Sequence, residues 1–244
     1  MKAFILAAGL GTRLKPLTDR MPKALVPVGG VPLLEQQVIR LKDAGYDDIV
    51  VNVHHFADMV EDFLQEKGSF GVKMGISDER DLLRETGGAI RHAARFLEDS
   101  ESGRFLVHNV DIISDVDLAW FDSRFKEGEE PLADLVVSSR ETSRYLLFDD
   151  SMRLVGWTNV STGEVRSPYP DLAVKSCRKL AFSGIHNVST AILPMMQSWP
   201  EKFSIIDFYL SVCDKCLIRG TDLTGVSIKD VGKAADINLM CDNR

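Results

Sequence analysis

Ala3-Phe4-Ile5-Leu6-Ala7-Ala8-Gly9-Leu10-Gly11-Thr12-Arg13-Leu14-Lys15-Pro16-Leu17-Thr18 stands near the start of the chain, and Met21-Pro22-Lys23-Ala24-Leu25-Val26-Pro27-Val28 follows closely. The apolar run at positions 2–8 has the length of one buried strand and feeds directly into a glycine turn. Glycines there let the chain turn tightly and let backbone N–H groups come close to a bound anion. Arg13 adds a planar, permanently charged fork suited to phosphate oxygens. Pro22 and Pro27 stiffen the loop that carries Lys23. Within positions 1–28 the charged residues are Lys2, Arg13, Lys15, Asp19, Arg20 and Lys23, five basic against one acidic, in a chain of net charge −7. A strand, a glycine loop and positioned cations make a polyphosphate site.

Two common phosphate loops are excluded. No Gly-Lys-Ser/Thr follows at Walker spacing. Position 14 is Leu, where the dinucleotide fingerprint needs Gly. The whole run, Leu6-Ala7-Ala8-Gly9-x-Gly11-Thr12-Arg13-Leu14-x-Pro16-Leu17-Thr18 with Pro22-Lys23 and Pro27-Val28, resembles the signature of the sugar-1-phosphate nucleotidyltransferases. The resemblance implies a Rossmann-like fold of the nucleotide-diphospho-sugar transferase type, a mostly parallel mixed sheet flanked by helices. It also implies that Leu6, Ala7, Ala8, Gly9, Gly11, Thr12, Arg13 and Lys23 wrap a nucleoside triphosphate, with Arg13 and Lys23 on its phosphates.

At 244 residues the chain has room for one large domain or two small ones, and for a substantial core. A hydrophobic fraction of 45% and a charged fraction of 27% are ordinary for a globular protein. The acidic balance argues against nucleic acid as the main partner, since a phosphate backbone needs a basic face. No stretch approaches the ~18 apolar residues of a membrane span. The run after Lys2 ends in an Arg-containing glycine loop with no cleavage-like site, which speaks against a signal peptide. The expected compartment is the cytoplasm. Of Cys177, Cys213, Cys216 and Cys241, the second and third form a Cys-x-x-Cys pair. Zinc would want a second pair or nearby histidines, and neither appears. The pair falls in a helical pattern over 205–218 that puts both thiols on one face, so they are expected to be reduced and structural.

Strand and helix patterns alternate over the first 140 residues, as in βαβ units. Strands are expected at 48–52, 72–77, 105–108 and 135–138. Helices are expected at 32–44 with Gly45 as the stop, 57–67, 87–97 and 117–127. Beyond that, 144–157 reads as a hairpin turning at Asp149-Asp150-Ser151. The stretch 161–177 reads as a polar, exposed excursion, 179–185 as a strand, 190–197 and 203–218 as helices, 224–229 as a last strand and 233–241 as a short helix. One α/β domain over 1–244 is the simplest organisation, with 1–140 as the nucleotide-binding core and 141–244 as the sugar-binding and metal-completing part.

Phe105-Leu-Val-His-Asn-Val-Asp111 puts a carboxylate just past a strand end, at the edge where open parallel sheets bind ligands. A carboxylate there suits Mg²⁺, which takes one or two carboxylates plus substrate phosphates. The segment is similar to the family's second motif, except that Val110 stands where Gly is usual. β-branched Val resists unusual backbone angles, so the loop is expected to carry Asp111 differently. Asp230, in Lys229-Asp230-Val231-Gly232, is a second strand-end carboxylate, and the resemblance implies that it completes the metal site. In Glu85-Thr86-Gly87-Gly88, two glycines and a Thr would let the backbone approach a flat base, and a helix start offers free N–H donors. The family reads the base with this loop, which points to Thr86 and Gly87. Leu180-Ala-Phe-Ser-Gly184-Ile185 resembles the segment lining the sugar, which points to Gly184. None of the five histidines shows ligand spacing.

The implied reaction transfers a nucleotidyl group from an NTP to a sugar 1-phosphate and releases pyrophosphate. Arg13 and Lys23 would be catalytic, and Asp111 and Asp230 would hold Mg²⁺. The Glu85-Thr-Gly-Gly and Lys229-Asp-Val-Gly segments look most like the N-acetylmuramate 1-phosphate uridylyltransferase group, which makes UTP the expected donor. Two alternatives stay open at this level: a nucleotide-sugar sensor that binds without turnover, and a kinase-type phosphotransferase that releases a nucleoside diphosphate.

Overall fold

The computed structural model describes residues 1–126 and 128–232. β1 (Lys2–Leu6) leads through three 3-10 turns, at Thr12–Leu14, Leu17–Asp19 and Lys23–Leu25, into a small hairpin of β2 (Pro27–Val28) and β3 (Val31–Pro32). α1 (Leu33–Asp43), β4 (Asp48–Val53), α2 (Ala57–Glu66), β5 (Lys73–Asp78), α3 (Glu85–His92), α4 (Ala94–Leu97) and β6 (Arg104–Asn109) follow. Next come β7 (Ile112–Ser114), α5 (Leu118–Ser123), β8 (Ala133–Ser138), and a three-stranded meander of β9 (Arg144–Phe148), β10 (Leu154–Asn159) and β11 (Glu164–Arg166). The described chain ends with β12 (Arg178–Ser189), α6 (Ile192–Met195), α7 (Ile205–Val212), β13 (Ile218–Asp222) and β14 (Ile228–Asp230).

Ten strands form one mixed sheet in the order β11-β10-β9-β12-β6-β1-β4-β5, with β8 on β12 and β13 on β8. β1, β4, β5 and β6 run parallel, and Phe4 stands opposite both Val50 and Val107. β12 runs antiparallel to β6, β8 and β9. Helices cover both faces. Ala3 and Ile5 pack with Leu34, Val38, Val60 and Leu64 of α1 and α2. Phe4 packs on the other face with Ile90, Leu97 and Phe208. A strand buried on both faces gains nothing from apolar–polar alternation, which is why β1 reads as an unbroken apolar run.

Most expected elements stand within a residue or two of their places. α1 starts after Pro32 and stops ahead of Gly45, whose φ of +90° a side chain would resist. The helix expected over 87–97 begins earlier, at Glu85, and breaks at Ala93 into α3 and α4. The helix expected over 203–218 ends at Val212, and Ile218–Asp222 is a parallel strand on β8. The cause is non-local: a Cβ at Gly220 would lie 2.7 Å from the Phe148 ring, and Thr221 donates to buried Asp134 at 2.7 Å. Cys213 therefore closes α7 rather than lying within it, with its buried thiol pushed up to about 11 by desolvation. The excursion over 161–177 contains β11, paired to β10. The expected helix over 233–241, and Cys241 with it, lies outside the described residues. Among the described residues no helix is long and apolar enough to cross a membrane.

Candidate active site

The parallel strands deliver Leu6, Val53, Asp78 and Asn109 to one edge of the sheet, so the loops beyond them meet. Between those loops lies a cleft of about 260 Å³, lined by Leu6, Ala8, Gly9, Lys23, Asn52, Glu79, Leu83, Glu85, Thr86, Asn109, Val110 and Asp111. The glycine loop forms one wall. Gly11 takes φ +61°, and a Cβ there would meet Thr18 at 2.7 Å and Lys23 at 3.0 Å. The turn thus folds back onto the segment that carries Lys23, and Thr18 Oγ1 donates to the Gly11 carbonyl at 2.9 Å to hold it. At Gly9 the Cβ position is open, with no atom within 4 Å. That leaves backbone accessible to a ligand.

Lys23 Nζ forms an ion pair with Asp111 Oδ2, with both side chains largely buried. Asp230 reaches the same place through β14, which pairs antiparallel with β7 and sets Asp230 opposite Ile112. Val231 N–H then donates to the Asp111 carbonyl at 2.9 Å. A Cβ built on Gly232 would lie 2.7 Å from Asp230 Oδ1, 2.7 Å from Arg13 Nη2 and 3.0 Å from Asp111 Oδ2. Both carboxylates and the guanidinium therefore converge on one point beside Gly232, with Lys23 held next to them. Val110 keeps an ordinary backbone conformation and buries its side chain in the core, 2% exposed. Position 110 therefore does not take the left-handed backbone that would favour Gly.

The loop after β5 does less than expected with its glycines. Gly87 and Gly88 both donate their N–H groups to the Phe203 carbonyl, at 2.9 and 3.2 Å. A Cβ at Gly87 would lie 2.4 Å from the Phe203 ring, and one at Gly88 would lie 2.2 Å from the Glu201 carbonyl oxygen. These glycines let α3 press against the segment before α7, and their helix-start donors are already taken. Thr86 lines the cleft while its Oγ1 accepts from Ile205 N–H at 2.9 Å. Glu85, also on the wall, sits at φ +60°, a strained setting of the kind that collects at functional sites. Gly184 is not among the residues lining the cleft; its φ is +73°, and the Asn109 side chain fills the place of its Cβ. Ala7 is buried in the core, and Thr12 opens the first 3-10 turn.

Two residues that the motifs did not single out tie the walls together. Asn52, 3% exposed, accepts from the N–H groups of Ala7 and Ala8 at 2.6 and 3.1 Å, and donates to Glu79 Oε1 at 2.8 Å. Glu79, fully buried, accepts Arg84 N–H at 3.1 Å through its other oxygen. One amide and one carboxylate thus clamp the glycine loop to the loop after β5. The available signal was positional: both residues stand at the ligand ends of strands.

The first 146 residues carry the further decisive observation. Residues 2–146 match the nucleotidyl transferase family. The chain belongs to that family. An N-acetylmuramate alpha-1-phosphate uridylyltransferase of Caulobacter vibrioides is 47% identical over 113 residues, covering 46% of each chain. The enzyme of the same name from Neisseria meningitidis is 42% identical over 117 residues, covering 48% of this chain and 49% of its own. These matches span about half the length of the curated relatives. In fold, the chain resembles HddC from Yersinia pseudotuberculosis, solved with GMP-PN, at a TM-score of 0.75 and 23% identity over 99% of this chain and 98% of that one.

Proposed function

We propose that this nucleotidyl transferase family member moves a nucleotidyl group from an NTP to a sugar 1-phosphate, releasing pyrophosphate. The observation that carries the reading is the convergence of Arg13, Asp111 and Asp230 beside Gly232, with Lys23 on Asp111. The acceptor phosphate oxygen attacks the α-phosphorus, the bond to the β-phosphate oxygen breaks, and the electron pair leaves with pyrophosphate. No protein nucleophile is needed; the protein positions the groups and neutralises charge. Arg13 and Lys23 are the cations at hand for triphosphate oxygens. Lys23 now spends its charge on Asp111, so an arriving phosphate competes with that carboxylate for it.

Asp111 and Asp230 fit Mg²⁺, since two hard-oxygen ligands, one in the turn after β6 and one on β14, face one point and leave the remaining positions to phosphate and water. Bound there, the ion would withdraw charge from the phosphate oxygens. The Asn52–Glu79 clamp keeps the glycine loop and the base-side loop at a set separation. UTP is the proposed donor, supported by the activity named for the Caulobacter and Neisseria relatives. The cytoplasm remains the proposed compartment. A pyrophosphate-release screen across four NTPs and a set of sugar 1-phosphates, with Mg²⁺, tests the reading. Release with UTP supports it. Release of nucleoside diphosphate instead would identify a phosphotransferase.

A further inference from the structure

The strands that carry Asp230 to the site stand apart from the main sheet: β7 and β14 form a two-stranded ribbon of their own. The register of that ribbon makes Ile112 its hub. Ile112 follows Asp111 in the chain and stands opposite Asp230 across the ribbon. Whatever holds Ile112 therefore sets both carboxylates at once.

α1 holds it. Gln37 Nε2 donates to the Ile112 carbonyl at 2.7 Å. About one turn on, Arg40 Nη1 donates to Ser114 Oγ at 2.7 Å, and its Nη2 donates to the Val116 carbonyl. Gln37 stands in an apolar stripe, with Leu33, Leu34, Val38 and Leu41 buried around it, and is itself 2% exposed. Packing alone would put an apolar side chain there. A buried amide destabilises the fold unless it is hydrogen-bonded. This one is half satisfied, since its Oε1 is buried with no partner among the described residues. That penalty falls at the position whose side chain reaches Ile112. Gln36 supplies the contrast. Its Nε2 donates to the Val28 and Val31 carbonyls at 2.9 and 2.8 Å, so the same residue type on the same helix braces the β2–β3 hairpin instead.

We propose that Gln37 is a positioning residue of the divalent-ion site: through the Ile112 carbonyl it holds Asp111 and Asp230 where both can ligate one ion. The inference rests on the proposed reaction for the ion's place in it. Arg40 fixes the far end of β7. Without the Gln37 donor, Ile112 is freed and the ribbon can shift against the turn that carries Asp111. Small oxygen-ligated cations demand near-ideal geometry, so a shift of either carboxylate weakens binding.

The test is Mn²⁺ binding to the full chain without nucleotide, read by the loss of the free-ion electron paramagnetic resonance signal, with thermal unfolding of each protein alongside. Mn²⁺ takes the same oxygen ligands as Mg²⁺. Gln37→Met keeps the length of the side chain and removes the donor. Its Mn²⁺ affinity is expected to fall about 10- to 100-fold, the usual effect of losing an outer-shell partner. Arg40→Met should lower the affinity by less, and Gln36→Met should leave it unchanged. A merely structural role gives another pattern: melting temperatures fall, while the folded variants keep the wild-type affinity. Equal affinity in the wild type and Gln37→Met, an equal fall in Gln36→Met, or a wild type that binds no Mn²⁺ overturns the inference. Should Gln37→Met not fold, the other two variants decide: a fall in Arg40→Met with none in Gln36→Met supports it, and equal affinities overturn it. Pyrophosphate release measured in parallel separates the two readings. Wild-type turnover with an unchanged Mn²⁺ affinity in Gln37→Met sinks this inference alone. A selective loss of Mn²⁺ affinity in Gln37→Met, with no wild-type turnover on any NTP and sugar 1-phosphate, sinks the proposed reaction alone.

Discussion

Lys23 and Asp111 hold each other in this structure, and that pairing sets what a substitution does. Lys23→Ala removes a cation and leaves Asp111 largely buried beside Asp230, so two carboxylates face each other with less compensation. Arg13, by contrast, is exposed, and its loss costs little in folding. Both variants are expected to lower kcat by about 10²–10³-fold, the usual cost of removing an electrostatic contact made in the transition state. Melting curves and single-turnover rates check this; folded variants with near wild-type turnover at saturating substrate would refute the assignment. Asp111→Asn and Asp230→Asn keep the shape and remove one charge each. Asp111→Asn is expected to be nearly inactive and Asp230→Asn severely impaired, and raising Mg²⁺ should restore neither fully. The sequence pointed to all four residues. It could not say that Lys23 and Asp111 touch, because 87 residues of intervening chain must fold first.

At the scale of elements, α3 is positioned by what it lacks. Its two glycines admit Phe203 and the Glu201 carbonyl, and its first N–H groups bond to the Phe203 carbonyl. In an isolated helix Gly88→Ala would gain about 1 kcal/mol of propensity. Here the new methyl would sit 2.2 Å from a backbone oxygen, and overpacking of that kind costs about 1–3 kcal/mol or more. The clash wins, so urea unfolding of Gly88→Ala should show a net loss of stability. Gly9→Ala is the contrasting case, since its Cβ position is empty and its backbone is unstrained. That variant should hold its unfolding midpoint yet lose NTP affinity; an unchanged affinity would remove Gly9 from the site. The glycines of the loop after β1 and those of α3 look alike in sequence. Only the packing reveals that Gly9 leaves open space, whereas Gly11 and the glycines of α3 make room for the chain itself.

For the whole molecule, the sheet buries two neutral histidines under the site. His108 on β6 and His186 on β12 are fully buried; desolvation pushes the first down to about 4, with the Arg40 charge adding to it, and the second to about 3, with His108 adding to it. His186 is held by the Tyr209 hydroxyl at 2.7 Å, and His108 Nδ1 by the Asn109 carbonyl at 2.8 Å. Their ordinary value is near 6.5, so unfolding takes up protons below that pH. The stability they contribute is complete above pH 6.5 and is lost as pH falls toward 4. With both groups acting, the slope should approach about 2.5 kcal/mol per pH unit between pH 6 and 5. Urea unfolding across that window measures it, and a flat profile would contradict the burial of neutral imidazoles. The sequence by itself determined the glycine loop after the first strand, the alternation of strand and helix through the first half, and the two strand-end carboxylates, because those signals are local: a run, a turn, a spacing. The tertiary structure alone decided that Ile218–Asp222 is a strand, because its partner is β8, and that Asp230 lies beside Asp111, because β14 pairs with β7. It likewise decided the Asn52–Glu79 clamp. Each joins residues that local propensity cannot relate, and each exists only once non-local strand pairing has brought their carriers to one edge of the sheet.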